Sequence, residues 1–103
     1  MENLVFVELL RRNLEVSYYQ NIKKEEVDFV IRKGKKLMQL IQVCYSIGDF
    51  ITKEREIKPL FSASKEFKCN NLLVITKEYE AEEKIKGKKI KFMPLWKWLL
   101  GKV

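Results

Sequence analysis

The sequence predicts a single α/β domain, and three observations lead there. Segments with helical spacing and segments with strand-like alternation follow one another along the chain. Turn residues, Gly34, Asn70-Asn71 and Gly87 among them, punctuate these segments at short intervals. The 103 residues, 47% apolar and 34% charged, suit one globular core rather than a disordered chain.

Residues 2–13 read as a helix, with Leu4, Val5, Val7, Leu9 and Leu10 on a broad apolar side that Glu8 interrupts. Arg11-Arg12 suit its last turn, where cations meet the negative end of the dipole. Residues 14–20 alternate and predict a strand, and 21–24 a polar turn. In residues 26–32, Val27, Phe29 and Ile31 face one way, Asp28 and Val30 the other. Gly34 breaks that run and residues 35–45 resume it, so 26–45 predict an antiparallel hairpin.

Residues 46–51, with Gly48 and Asp49, read as a loop. Thr52 suits an N-cap for a helix to about residue 68, with Ile57, Leu60, Phe61, Ser64 and Phe67 inward. Pro59 should bend that helix or delay its start. Residues 72–76 form a short, wholly apolar strand of the buried kind. Residues 77–83 read as a polar connection and 84–92 as a strand around Gly87. Pro94 opens a last helix through residue 100. Trp96 and Trp98 point about 200° apart on it, so one is expected in the core and the other at the surface. The order is helix, three strands, helix, strand, strand, helix. No repeat, linker or low-complexity segment divides residues 1–103, so one domain is expected.

Composition removes several chemistries. There is no histidine, and Cys44 and Cys69 form no CxxC pair, so Cys/His zinc sites and Ser-His or Cys-His catalysis are excluded. Both cysteines read as reduced, buried thiols. No GxxxxGK[ST] occurs, and Gly34-Lys35 lacks the upstream glycine and the following hydroxyl, so the chain carries no P-loop. The apolar runs are too short to span a bilayer, and Met1-Glu2-Asn3 is no signal-peptide start. A cytoplasmic protein without membrane association is the expectation. The net charge of +7, from 21 Lys and Arg against 14 Asp and Glu, permits binding to phosphate backbones.

Several segments occur in an order that resembles the C-terminal domain of many archaeal and bacterial AAA-type ATPases. They are Glu2-Asn3-Leu4-Val5, Glu8-Leu9-Leu10-Arg11-Arg12, Glu26-Val27-Asp28-Phe29-Val30 and Ile41-Gln42-Val43-Cys44-Tyr45. Thr52-Lys53-Glu54-Arg55-Glu56 and the closing stretch from Ile90 to Leu100 continue the match. The order of elements is also similar to the core of the restriction-endonuclease-like, or PD-(D/E)xK, nucleases. The resemblance implies a mixed central sheet with helices on both faces. It also implies an ATPase domain, or another copy of the chain, as a partner.

Nucleases of that fold hold Mg²⁺ with an acid on the first helix, an aspartate on the second strand and a glutamate on the third, followed two residues on by a lysine. By position the resemblance assigns these roles to Glu8, Asp28, Gln42 and Cys44, with Glu8 and Asp28 as the metal ligands of an active form. Gln42 lacks the charge that a hard cation favours, and Cys44 lacks the ammonium that offsets phosphate charge. Losing one such preorganised group typically costs on the order of 10²–10³ in rate. A degenerate, non-catalytic site without a cofactor is therefore expected, with Mg²⁺-dependent cleavage as the alternative. Lys53 or Arg55 are the nearest replacement cations.

Each residue also has a plainer role. Glu8 can pair with Arg12 at i+4. Asp28 suits the solvent side of a strand, and Gln42 and Cys44 can be core residues, with Gln42 bonded to its neighbours. For nucleic acid the candidates are Arg32, Lys33, Lys35 and Lys36 at the hairpin turn, Lys53 and Arg55 on the second helix, and Lys84, Lys86, Lys88, Lys89 and Lys91 near the end. The plainer reading of those lysines is a charged strand edge that resists aggregation. The expected function is a non-catalytic accessory domain that binds nucleic acid or protein. A pure protein-interaction module is the further alternative.

Overall fold

In the computed structural model, which describes residues 1–47 and 50–101, the strands form one six-stranded mixed sheet with three helices around it. The elements are α1 (Glu2–Arg11), β1 (Glu15–Gln20), β2 (Glu26–Lys33), β3 (Lys36–Val43), α2 (Phe50–Phe67), β4 (Leu72–Thr76), β5 (Ala81–Ile85), β6 (Lys88–Pro94) and α3 (Leu95–Leu100). The sheet order is β1-β2-β3-β4-β6-β5. β1, β2 and β3 form an antiparallel meander, and α2 crosses over so that β4 lies parallel to β3. β6 is parallel to β4 and antiparallel to β5.

The sheet is covered on both faces because its inner strands are apolar on both. Leu40, Val74, Ile90 and Phe92 pack with Ile57, Leu60 and Ala63 of α2. Ile41, Leu73 and Ile75 point the other way, toward Val5 and Leu9 of α1 and Trp98 of α3. β4 is buried along its whole length, as its unbroken apolar sequence requires. Both long helices stop on a left-handed residue. Asn13 (φ 59) and Lys68 (φ 56) let the next N–H, of Leu14 and Cys69, reach back to the carbonyls of Leu9 and Ser64 at 3.2 Å.

Four expectations need correction. β2 does not alternate cleanly: Tyr19 pairs with Val27 but Ser17 with Val30, so two residues, Asp28 and Phe29, stand against Tyr18 alone. This bulge turns Val27 and Val30 toward α2, and Phe29 and Ile31 toward α1. α2 starts at Phe50, so Thr52 lies in its first turn rather than at its cap; Gly48 and Asp49 fall outside the described residues. Pro59 stays inside α2 and does not delay its start. Residues 84–92 are two strands, and β5 begins at Ala81 within the expected connection. Its residues alternate between half-buried and exposed at the sheet edge, so its polar sequence hid it. The β5–β6 turn is Lys86-Gly87, with φ of 50 and 81, the pattern of a two-residue type I′ hairpin.

The register fixes two ends. Toward the carboxyl ends of β3, β4 and β6 lie the β1–β2 turn and the starts of α1 and α2. At the opposite end lie the β2–β3 turn, the β5–β6 turn and the carboxyl termini of α1 and α2.

Candidate functional site

The bulge in β2 opens the sheet at the carboxyl end of β3. The β2–β3 ladder runs as far as Phe29–Ile41, and side chains continue it from there. Gln42, only 3% exposed, accepts a hydrogen bond from the Asp28 N–H at 2.9 Å. Its amide nitrogen donates to the carbonyls of Glu26 and Glu56, each at 3.0 Å. Both of its donors and one acceptor site are thereby used. Asp28 replies in kind, its Oδ2 accepting the Val43 N–H at 2.8 Å. Pro59 lies in the same stretch of α2 and lacks the N–H that would bond the Arg55 carbonyl; one residue further on, the Glu56 carbonyl meets Gln42.

An open cavity of about 740 Å³ lies at this point, and Glu2, Asp28, Gln42, Arg55 and Glu56 line it. Burial pushes the Asp28 carboxyl up to about 7, helped by its hydrogen bond to Glu2 and the nearby charge of Glu56 and opposed by the Val43 N–H. Burial raises Glu56 as well, with Arg55 opposing. Glu2, Asp28 and Glu56 therefore repel one another across the cavity, and near neutrality Asp28 retains a proton for part of the time.

The four residues assigned from the resemblance do not converge. Asp28 and Gln42 meet, but Glu8 lies elsewhere. It is six residues beyond Glu2, a rise of roughly 9 Å along α1. There Arg11 and then Arg12 bind its carboxylate and hold it down to about 2. Arg12 goes on to donate to the carbonyls of Trp98 and Gly101 at 2.9 and 3.1 Å, and its guanidinium stacks 4.5 Å from the Trp98 ring centre. Glu8 thus orients the arginine that joins α1 to the end of α3. The acid of α1 that reaches the cavity is Glu2, which sequence reasoning missed; its place at the helix start was the only mark it left in the sequence. Cys44 is buried in the core on the α2 side, its thiol 3.2 Å from the Ser46 carbonyl and pushed upward by burial, so it stays neutral. Trp98 is in the core (7% exposed) and Trp96 at the surface (59%).

The basic candidates divide between the two ends. Arg32, Lys33, Lys35 and Lys36 stand at the end opposite the cavity. Arg55 lines the cavity itself. Lys53 does not face it: its ammonium binds both oxygens of Glu83 at 2.6 Å, over the rings of Tyr79 and Phe92.

The donor set does not fit Mg²⁺. Gln42 is committed to backbone groups, one Asp28 oxygen to Val43, and the lysine position to a buried thiol. Among the described residues no group of three or more His, Cys, Asp or Glu is arranged to hold a metal. Nor does any described helix have the length and apolarity to cross a membrane.

What these features define is a mixed α/β domain whose sheet ends in a polar cavity stitched by side chains. Residues 1–98 match the family model described as "Domain of unknown function (DUF4143)", and the chain belongs to that family. A comparison with curated proteins gives no match.

Proposed function

We propose that the chain is a restriction-endonuclease-like domain that has exchanged metal-dependent cleavage for binding, and that it serves as an accessory to an ATPase-type protein. The antiparallel meander, crossover helix and parallel fourth strand support the fold reading. The observation that carries the loss of catalysis is Gln42. Where a nuclease of this type needs a free carboxylate, this side chain is buried and spends its amide on Asp28, Glu26 and Glu56. With Gln42 and one Asp28 oxygen engaged in holding strands together, the position that should supply the second charged metal ligand supplies none.

The test is incubation of the chain with plasmid and single-stranded DNA in Mg²⁺ or Mn²⁺. Intact DNA is expected. Cleavage that requires the metal and disappears in Asp28→Ala would overturn the reading. A second binding mode has its own observation. Leu4, Val7 and Leu10 of α1 and Trp96 and Leu100 of α3 are large apolar side chains left exposed on helices that cover one face of the sheet. This favours a protein partner there.

A further inference from the structure

The register brings together two basic turns that lie some fifty residues apart in sequence. β3, β4 and β6 run parallel, with Leu40, Leu72 and Ile90 in one row. Below that row β3 begins at the β2–β3 turn and β6 at the β5–β6 turn, so both turns leave the sheet at the same end. They are three strand spacings apart, roughly 14 Å. The carboxyl terminus of α2, with Lys68, closes on that end as well. Lys33, Lys35, Lys36, Lys68, Lys84 and Lys86 are all exposed there, and none makes an ion pair among the described residues.

Most of the acids are elsewhere: toward this end, Glu8 is held by Arg11 and Arg12, and Glu15, opposite Arg32, and Glu66, in the last turn of α2, offset only part of the lysine charge. Glu2, Glu25, Glu26, Asp28, Glu54 and Glu56 belong to the cavity end, as do Glu78 and Glu80 after β4. Two are already paired, Glu25 with Lys58 and Glu80 with Lys97. Most of the net charge of +7 therefore sits on one end of the molecule. Neither structural explanation accounts for it. Lysines that protect a sheet belong on its edge strands, as Lys84 does on β5, but Lys33 and Lys36 are on β2 and β3, inside the order β1-β2-β3-β4-β6-β5. The partial negative charge at helix carboxyl termini favours Lys68 but does not reach the hairpin tips.

We infer that this end of the sheet, opposite the Asp28 cavity, is a phosphate-backbone binding surface for nucleic acid, read by charge and not by base. The inference deepens the binding function proposed above by naming its ligand and its place. Nucleic acid is favoured over a second copy of the chain because, at the acidic end that a copy would offer, Glu25 and Glu80 are engaged with lysines and burial holds Asp28 and Glu56 toward the neutral form.

The experiment is fluorescence anisotropy of labelled single-stranded and duplex DNA and single-stranded RNA with the whole chain, across a salt series. A Lys33→Gln, Lys35→Gln, Lys86→Gln variant is compared with a control carrying Lys23→Gln, Lys24→Gln and Lys77→Gln at the other end. The wild type is expected to bind with affinity falling steeply as salt rises. The basic-end variant should bind about tenfold or more weakly at about 100 mM salt. Its log–log salt slope on duplex should shrink by about 0.9 for each phosphate that a substituted lysine no longer neutralises. The control should keep both affinity and slope. Absence of binding by the wild type overturns the inference, as does equal weakening in the control. So does a light-scattering mass showing that the basic-end changes dissolve a dimer instead. Metal-dependent shortening of the probe would overturn only the non-catalytic reading and leave the surface as assigned.

Discussion

Gln42 shows how little of a residue's role its identity decides. As an amide it donates twice and accepts once inside the sheet opening. A glutamate of the same shape would retain the bond from Asp28 N–H but set a carboxylate against the Glu26 and Glu56 carbonyls. Gln42→Glu is therefore expected to lower stability by about 2–4 kcal/mol in urea denaturation at pH 7, without producing cleavage. An unchanged midpoint would count against the role assigned to the amide. Asp28 gives a pH signature. Its ordinary value of 3.8 rises to about 7 in the folded chain, so the folded state holds the extra proton between those values. Stability from this group is accordingly present at low pH and is lost as pH rises from about 4 to about 7. Asp28→Asn retains an acceptor for Val43 and has no proton to lose. Denaturation midpoints of the wild type, relative to this variant, should fall between pH 5 and pH 7.5; a rise would refute the burial argument.

At the scale of elements, α1 and α3 are held by one side chain. Arg12 links Glu8, two carbonyls at the end of α3 and the face of Trp98, and its own side chain is 8% exposed. Arg12→Ala leaves the Glu8 carboxylate with Arg11 alone and the α3 carbonyls without their donor. A loss of about 2–4 kcal/mol is expected, with a shift in Trp98 fluorescence. Arg12→Lys should recover only part, since an ammonium cannot serve carboxylate, carbonyls and ring in one plane. The β5–β6 hairpin offers a change of opposite sign. Lys86 adopts φ 50, which a β-carbon disfavours and which asparagine tolerates. Lys86→Asn is expected to raise stability by about 0.5–1 kcal/mol, measured by thermal denaturation.

Over the whole molecule, charge is distributed by end and not by face. The unpaired lysines of the two hairpin turns repel one another across a short span, and the ion pairs elsewhere are mostly exposed and contribute little each. Screening should therefore favour folding: the melting temperature is expected to rise as salt increases from about 10 mM toward about 150 mM, where the Debye length is near 8 Å. Polyphosphate at equal ionic strength should raise it further, because it binds the folded end specifically. A melting temperature that falls with salt would show that the ion pairs outweigh the repulsion.

The sequence alone determined where most of the chain is helix and where it is strand, because spacing of apolar residues and turn chemistry are local. The buried strand at 72–76, the hairpin turn at Gly34 and the split between Trp96 and Trp98 were all legible this way. The bulge at Asp28-Phe29 was not, since a register shift depends on the partner strand and leaves no mark on its own sequence. β5 was concealed because an edge strand needs few apolar residues. The pairing of Glu2 rather than Glu8 with Asp28, the commitment of Gln42 to backbone groups and the meeting of two basic turns at one end were decided by tertiary structure. Each depends on which distant groups the parallel crossover and the helix orientation bring together: hydrogen bonds need contact at about 3 Å, and screened charges act over about a Debye length.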